Sequence, residues 1–275
     1  MLREKEVIHT NTLVFNKRKW QLNKKITLKI IPAIIPLALL IIWQFVTVSG
    51  IVSSNVFPTP ASVVSVTGQL LATGELEQNI LVSTERAFLG FIVGGLLGFI
   101  LGIVNGISKW SYAFFDSTIQ MIRTIPHLSL IPLVIIWFGV SETGKIFLVA
   151  LGVLFPVYIN TLLGIREADP DLKEMGRVYG LKGFKLFKKI IFPSALPSIM
   201  IGIRYGLGNM WITLIVAETV ASNTGIGFMA TNAREFMQLN IIVLSIIIYA
   251  LLGKLSDLVA KFFENHYLFW YFANK

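Results

Sequence analysis

Few side chains in this sequence can do chemistry, and most of those sit in apolar surroundings. The three histidines, His9, His127 and His266, lie far apart and lack metal-ligand spacing. Cysteine is absent, which excludes disulfides, Cys-ligated zinc and iron–sulfur clusters. Gly144-Lys145 is followed by Ile146 and Gly253-Lys254 by Leu255, so no G-x-x-x-x-G-K-[ST] run exists to hold ATP. What remains is a set of polar groups within long apolar runs: Arg123, His127, Arg204, Asn209, Glu218 and Asp257, accompanied by Trp137 and Trp211. Ionisable groups inside a membrane are expensive and therefore suspect as substrate contacts. Arg123 and His127 would suit an anion, and Arg204 would add positive potential. The competing reading is that Arg123, Arg204 and Glu218 reach the membrane interfaces near their helix ends, while the tryptophans form aromatic belts. Arg123, His127, Trp137, Arg204, Asn209, Trp211 and Glu218 are the candidates for a translocation pathway.

A second group stands apart, in a basic island over residues 166–197 that carries seven of the 24 Lys and Arg. Asp169-Pro170-Asp171 starts a helix well, with an Asp cap, Pro at the first helical position and a second acid near the positive end of the helix dipole. That helix is expected to reach about Tyr179, with Gly180 as its C-terminal cap. Lys182-Gly183 turns the chain into a second amphipathic piece, with Phe184, Phe187, Ile190 and Ile191 on one side and Lys182, Lys185, Lys188 and Lys189 around the other. Pro193 and Pro197 are expected to steer it into the next span. On physical grounds alone, the island reads equally as a basic linker adhering to lipid.

These groups must be positioned by membrane helices. Of 275 residues, 55% are hydrophobic and only 14% charged, too few charges to cover a water-facing surface. The net charge of +9 suits anionic lipid rather than nucleic acid, because the basic residues fall in two blocks flanked by apolar spans. Six spans of about 20 residues are expected: 30–50, 87–107, 117–139 (interrupted by Pro126 and Pro132), 145–165, 198–221 and 240–263. A tail over 1–29, a membrane domain over 30–265 and a tail over 266–275 complete the chain. Eight basic residues precede the first span, and none lies between Ile51 and Thr84. The positive-inside rule therefore puts both termini and the 166–197 loop in the cytoplasm, with 51–84 and 222–239 outside. Thr59 or Ser62 is expected to cap a short outer helix ending near Thr73. Within the second span, Gly90, Gly94, Gly98, Gly102 and Gly106 form an unbroken four-residue stripe, the pattern of a tight helix–helix seam.

The residues of the island carry a family resemblance. Glu174-Met175-Gly176, then Gly180, then Ile190-Ile191-Phe192-Pro193 resembles the EAA loop of ABC importer permeases, with its spacing intact and departures at Met175, Gly176 and Phe192. The likeness extends through Phe57-Pro58-Thr59-Pro60, Ile131-Pro132-Leu133, Phe155-Pro156-Val157-Tyr158, Val216-Ala217-Glu218-Thr219 and Asn232-Ala233-Arg234-Glu235-Phe236. It is similar to the sulfonate/taurine/nitrate branch, and most of all to aliphatic sulfonate permeases.

This resemblance implies an all-α polytopic protein with the type I ABC importer fold, in the cell membrane of a bacterium. It implies no cofactor on this chain, with ATP and Mg bound by a partner. The implied partners are a second permease copy, two ABC ATPase subunits and an extracytoplasmic substrate-binding protein, besides membrane lipid. The loop would be the coupling helix, with Glu174, Tyr179, Gly180 and Leu181 meeting the ATPase. Permeases for taurine, nitrate or vitamin precursors share most of these blocks. Outside the family, the rivals are an ion-coupled secondary transporter, which would place acids mid-span, and a membrane enzyme, which would need a convergent catalytic cluster.

Overall fold

The computed structural model describes residues 34–52 and 57–268. The basic tail over 1–29, the start of the first expected span and residues 269–275 lie outside the described residues. All regular structure among the described residues is helical, and the chain forms two compact units, divided after Ser65. In the first unit, α1 spans Ile34–Val48. Its Trp43 donates from Nε1 to the Pro58 carbonyl at 2.9 Å and sets its ring 5.4 Å from that of Phe57. Helix α2 (Pro60–Ala72) begins there and continues into the second unit. Thr59 Oγ1 accepts from the Ser62 amide at 3.1 Å, and Pro60 needs no partner at the first helical position, so the short helix starts where its cap predicts.

The second unit contains α3 (Glu75–Ile107), α4 (Lys109–Arg123), α5 (His127–Phe138), α6 (Glu142–Arg166), α7 (Pro170–Val178), α8 (Gly183–Leu186), α9 (Phe192–Ala221), α10 (Ile226–Glu235) and α11 (Leu239–Tyr267). Among the described residues, four helical stretches are long and apolar enough to cross a membrane: α3, α6, the run Gly183–Val220, and α11. Helix α6 is the most enclosed of the four, since 56% of its most apolar stretch is buried against 28% or less for the others. Its two neighbours reach it through small residues. A Cβ on Gly94 would stand 2.1 Å from the Ala150 carbonyl oxygen, and one on Gly98 2.4 Å from that of Leu154, so α3 and α6 meet backbone to backbone. On its other side, a Cβ on Gly152 would lie 2.2 Å from Thr213 Oγ1 of α9. Without a hydrophobic drive between helices in lipid, such close approach is what holds them.

Three expectations are sharpened here. The third span is interrupted at Pro126 as expected, but not at Pro132: α4 ends at Arg123 and α5 begins at His127. Pro126 offers no N–H to the preceding turn and pushes Ile125 away from helical geometry, while Pro132 sits inside α5 without breaking it. The segment 222–239 is not only a loop, because α10 forms within it and buries Ile226, Met229 and Ala233. Pro193 and Pro197 do not separate the island's second piece from the following span. The helix is continuous over Gly183–Val220. A π-turn at Phe187–Ile191, in which the Phe192 amide reaches the Phe187 carbonyl, widens the backbone just ahead of Pro193, where the donor is missing.

Candidate functional site

The elbow at residues 166–197 is built from its caps. Asp169 Oδ1 accepts from the Asp171 amide at 2.8 Å and starts α7. At the other end, the Leu181 amide donates to the Gly176 carbonyl and the Gly180 amide to the Arg177 carbonyl, both at 2.9 Å. This is a Schellman closure, and it needs the left-handed backbone that Gly180 adopts at φ +79°. Helix α7 then packs on the rising helix, with Gly176 at the closest approach. A Cβ on Gly176 would come within 2.3 Å of Ile190 Cδ1 and 2.8 Å of Leu186 Cδ1. The glycine thus stands where the inner face of α7 meets the Leu186–Ile190 surface. The opposite face is open: Glu174, Met175, Val178, Tyr179 and Gly180 are all exposed, Val178 and Tyr179 by 82% and 79%, while Leu181 is half-buried.

Beside the elbow, buried polar contacts brace the ends of α3, α4 and α6. Asn105 Nδ2 donates to Tyr158 Oη, which donates to Asp116 Oδ1, each at 2.8 Å. Ser111 Oγ donates to Asn105 Oδ1 at 2.5 Å. The Arg166 guanidinium lies 3.7 Å from the centroid of the Tyr112 ring.

The opposite end of the bundle holds a charged cluster. Glu218 on α9 is 1% exposed and receives donors from four directions. Ser83 Oγ reaches both its oxygens at 2.8 Å, Arg86 Nη1 reaches Oε1 at 2.8 Å, and Oε2 accepts from the Gly227 amide at 2.9 Å and Tyr249 Oη at 3.0 Å. Arg86, 3% exposed, also donates from Nη2 to Glu142 Oε1 at 2.7 Å, where Lys145 Nζ joins at 2.8 Å. It further donates to the Thr224 carbonyl at 2.7 Å. Gly225, at φ +109°, presses on Glu218 so closely that a Cβ would fall 2.4 Å from Oε1. One carboxylate therefore ties together α3, α9, α10 and α11.

The proposed pathway residues do not converge on one another. Glu218 is buried in this cluster and has no oxygen to spare for a ligand. Arg204 is not a free cation either: it pairs with Asp257 at 2.7 Å and with Glu264 at 3.7 Å, and Asp257 also meets Lys254 and Lys261. Asn209 Nδ2 donates to the Gly152 carbonyl, and Trp211 Nε1 to Ser256 Oγ, with its ring edge-on to Tyr249. Trp137 is 62% exposed. Arg123 is exposed at the end of α4, ahead of the Thr124–Pro126 break, and His127 starts α5, its side chain lying outside the described residues. Sequence reasoning missed Arg86, Glu142 and Lys145 because they flank apolar runs and look like ordinary helix-end charges. The available signal was Arg86, one residue before a span otherwise free of charge as far as Ile107.

Comparison with known proteins agrees with this architecture. Residues 94–268 match the family described as binding-protein-dependent transport system inner membrane component. The chain is 52% identical over 247 residues to the aliphatic sulfonates transport permease protein SsuC of Escherichia coli (strain K12), covering 90% of this chain and 94% of that one. It is 44% identical to the protein of the same name from Bacillus subtilis (strain 168), covering 86% of each chain. The taurine transport system permease protein TauC of Escherichia coli (strain K12) is 30% identical, covering 97% and 96%. Among solved structures, a chain of the MetNI methionine ABC transporter in an inward-facing conformation superposes with TM-score 0.56 at 16% identity, covering 68% of this chain and 94% of that one. A chain of an amino acid ABC transporter with histidines gives 0.58 at 18%, covering 73% and 97%. With several apolar helices and a match over most of its length, this membrane-embedded chain belongs to the family of binding-protein-dependent transport system inner membrane components.

Proposed function

We propose that the chain is the permease subunit of an ATP-driven importer for aliphatic sulfonates. The observation that carries the coupling role is α7, which is rigidly capped, touches the bundle through Gly176, and offers Glu174, Val178 and Tyr179 to a partner. Large apolar side chains at an exposed tip are costly unless another surface covers them. In this reading two copies form the pathway. Two ATPase chains, which bind the ATP and Mg, receive α7, Gly180 and Leu181, and a substrate-binding protein docks at the far face. Six spans are assigned to α1, α3, the α4–α5 pair, α6, the Gly183–Val220 run and α11, with both termini cytoplasmic. ATPase closure would push α7, and the continuous helix from Gly183 would transmit that push into the bundle as rigid-body motion.

The sulfonate assignment is supported by the 52% and 44% identities to the SsuC proteins, against 30% for the taurine permease. Arg123 is the remaining cation proposed to attract the anion; Arg204, paired with two acids, is withdrawn from that role. The test is ATP-dependent sulfonate uptake in proteoliposomes holding the permease, an ATPase and a binding protein. Gly180→Trp and Glu174→Lys should abolish uptake and substrate-stimulated hydrolysis while the protein remains inserted. Normal stimulation in both variants would refute the coupling role. Uptake of taurine or nitrate in preference to a sulfonate would refute the substrate assignment.

A further inference from the structure

A cleft of about 760 Å³ opens beside the elbow, where α3, α4, α6, α7 and α8 come together. Its rim carries Lys109, Arg166, Lys173 and Arg177, drawn from three different helices. None of these four enters an ion pair among the described residues. Two are held in place, Arg166 by the Tyr112 ring and Lys173 by the Arg166 carbonyl at 3.3 Å, so the rim is partly organised without a ligand. Its walls are apolar and include Ile103, Ile107, Ile165 and Phe187. The acids of the island, Glu167, Asp169, Asp171 and Glu174, do not line it.

This pairing of chemistries is specific. A free phosphate or sulfonate would occupy a small part of the volume and leave the apolar walls unused. An acidic peptide would leave them unused as well. A molecule with a diester phosphate and hydrocarbon directly beneath it satisfies both. The location agrees: the cleft lies at the ends of two spanning helices, and Trp110 and Phe114 on α4 are 89% and 76% exposed, as residues of a membrane interface are. We propose that this cleft holds an anionic phospholipid, with its phosphate among the four cations and its upper acyl chain along the isoleucines and Phe187. Basic pockets between membrane helices are suited to such head groups. Because Lys173 and Arg177 belong to α7, the lipid would fasten the elbow to the membrane. This inference concerns lipid binding and does not depend on which solute is carried.

The full-length purified chain would be incorporated into nanodiscs or mixed micelles containing phosphatidylglycerol or phosphatidylcholine, and bound lipid measured by native mass spectrometry. Phosphatidylglycerol should be retained over phosphatidylcholine. The double variant K109A/R177A should weaken its binding about 30-fold, the factor expected for removing two basic groups near an anionic lipid. Should that variant aggregate, R177A alone, at an exposed site on α7, should weaken it about 5-fold. K182A/K185A removes two basic residues of the same island that do not line the cleft, and should leave binding unchanged. Equal weakening in K182A/K185A would reveal general adhesion of the basic island and overturn the site. Displacement of the lipid by an equal concentration of glycerol 3-phosphate would make it a soluble-anion site. Unchanged binding in K109A/R177A would remove the proposal altogether.

Discussion

Replacing Glu218 with glutamine tests the hub directly, because the substitution keeps shape and changes only hydrogen-bond chemistry. Every group around the carboxylate is a donor in the geometry observed: Ser83 Oγ, Arg86 Nη1, the Gly227 amide and Tyr249 Oη. Glutamine supplies one acceptor oxygen and one NH2. With the NH2 in place of Oε1 it faces Arg86, and in place of Oε2 it faces the Gly227 amide. The hydroxyls of Ser83 and Tyr249 can rotate and accept, but a guanidinium or backbone N–H cannot. One obligate buried donor is therefore orphaned in either orientation, at a cost of about 1–3 kcal/mol. Loss of the buried ion pair adds to this, offset by Glu142, which still pairs with Arg86. A total of about 2–4 kcal/mol corresponds to a fall in melting temperature of about 6–12 °C at about 3 °C per kcal/mol. Thermal unfolding of the detergent-solubilised protein, followed by tryptophan fluorescence, would read this. Asp257→Asn, at a partly exposed group among three cations, is the control and should shift the midpoint by no more than about 3 °C. If Glu218→Gln melts as the unmodified protein does, the hub does not hold the bundle end together and the reasoning fails.

Gly94→Ala and Gly95→Ala should have opposite outcomes although the residues are adjacent. The first forces a methyl into the Ala150 backbone and should cost about 1–3 kcal/mol or more, while the second meets only Val153 Cγ1 at 3.9 Å and should be neutral or stabilising in the same melting assay. Gly176→Ala should be tolerated, since its new methyl meets only the movable tips of Ile190 and Leu186 and the helix gains about 1 kcal/mol of propensity. Gly176→Leu should instead lever α7 away, which limited proteolysis of the elbow and loss of substrate-stimulated ATP hydrolysis would report. Gly180→Ala should cost about 1–2 kcal/mol locally through its left-handed backbone, without any steric clash, and hydrogen exchange at the end of α7 would detect it.

Much of this molecule is legible from sequence because membranes impose simple rules. Apolar runs longer than a bilayer mark the helices now seen as α3, α6 and α11; α6 and α11 extend a few residues beyond the expected bounds, whereas α3 starts twelve residues earlier than expected, at Glu75. Asp169-Pro170 and Gly180 announce both ends of α7, because caps act within a few residues of the chain. The same locality explains Thr59 and α2.

What sequence could not supply is long-range pairing. Gly176 reads only as a departure from the family pattern until Ile190 is found against it. Pro193 reads only as a residue that steers the chain into the next span until the π-turn is seen to absorb its missing donor and keep the helix continuous. Arg86 and Glu218, 132 positions apart, look like two separate charges at the ends of their own spans until the fold makes them one buried pair. Local propensity and hydropathy are properties of neighbours along the chain and therefore determine helices and caps. The cost of a buried charge depends on which distant groups surround it, and only the tertiary structure decides that.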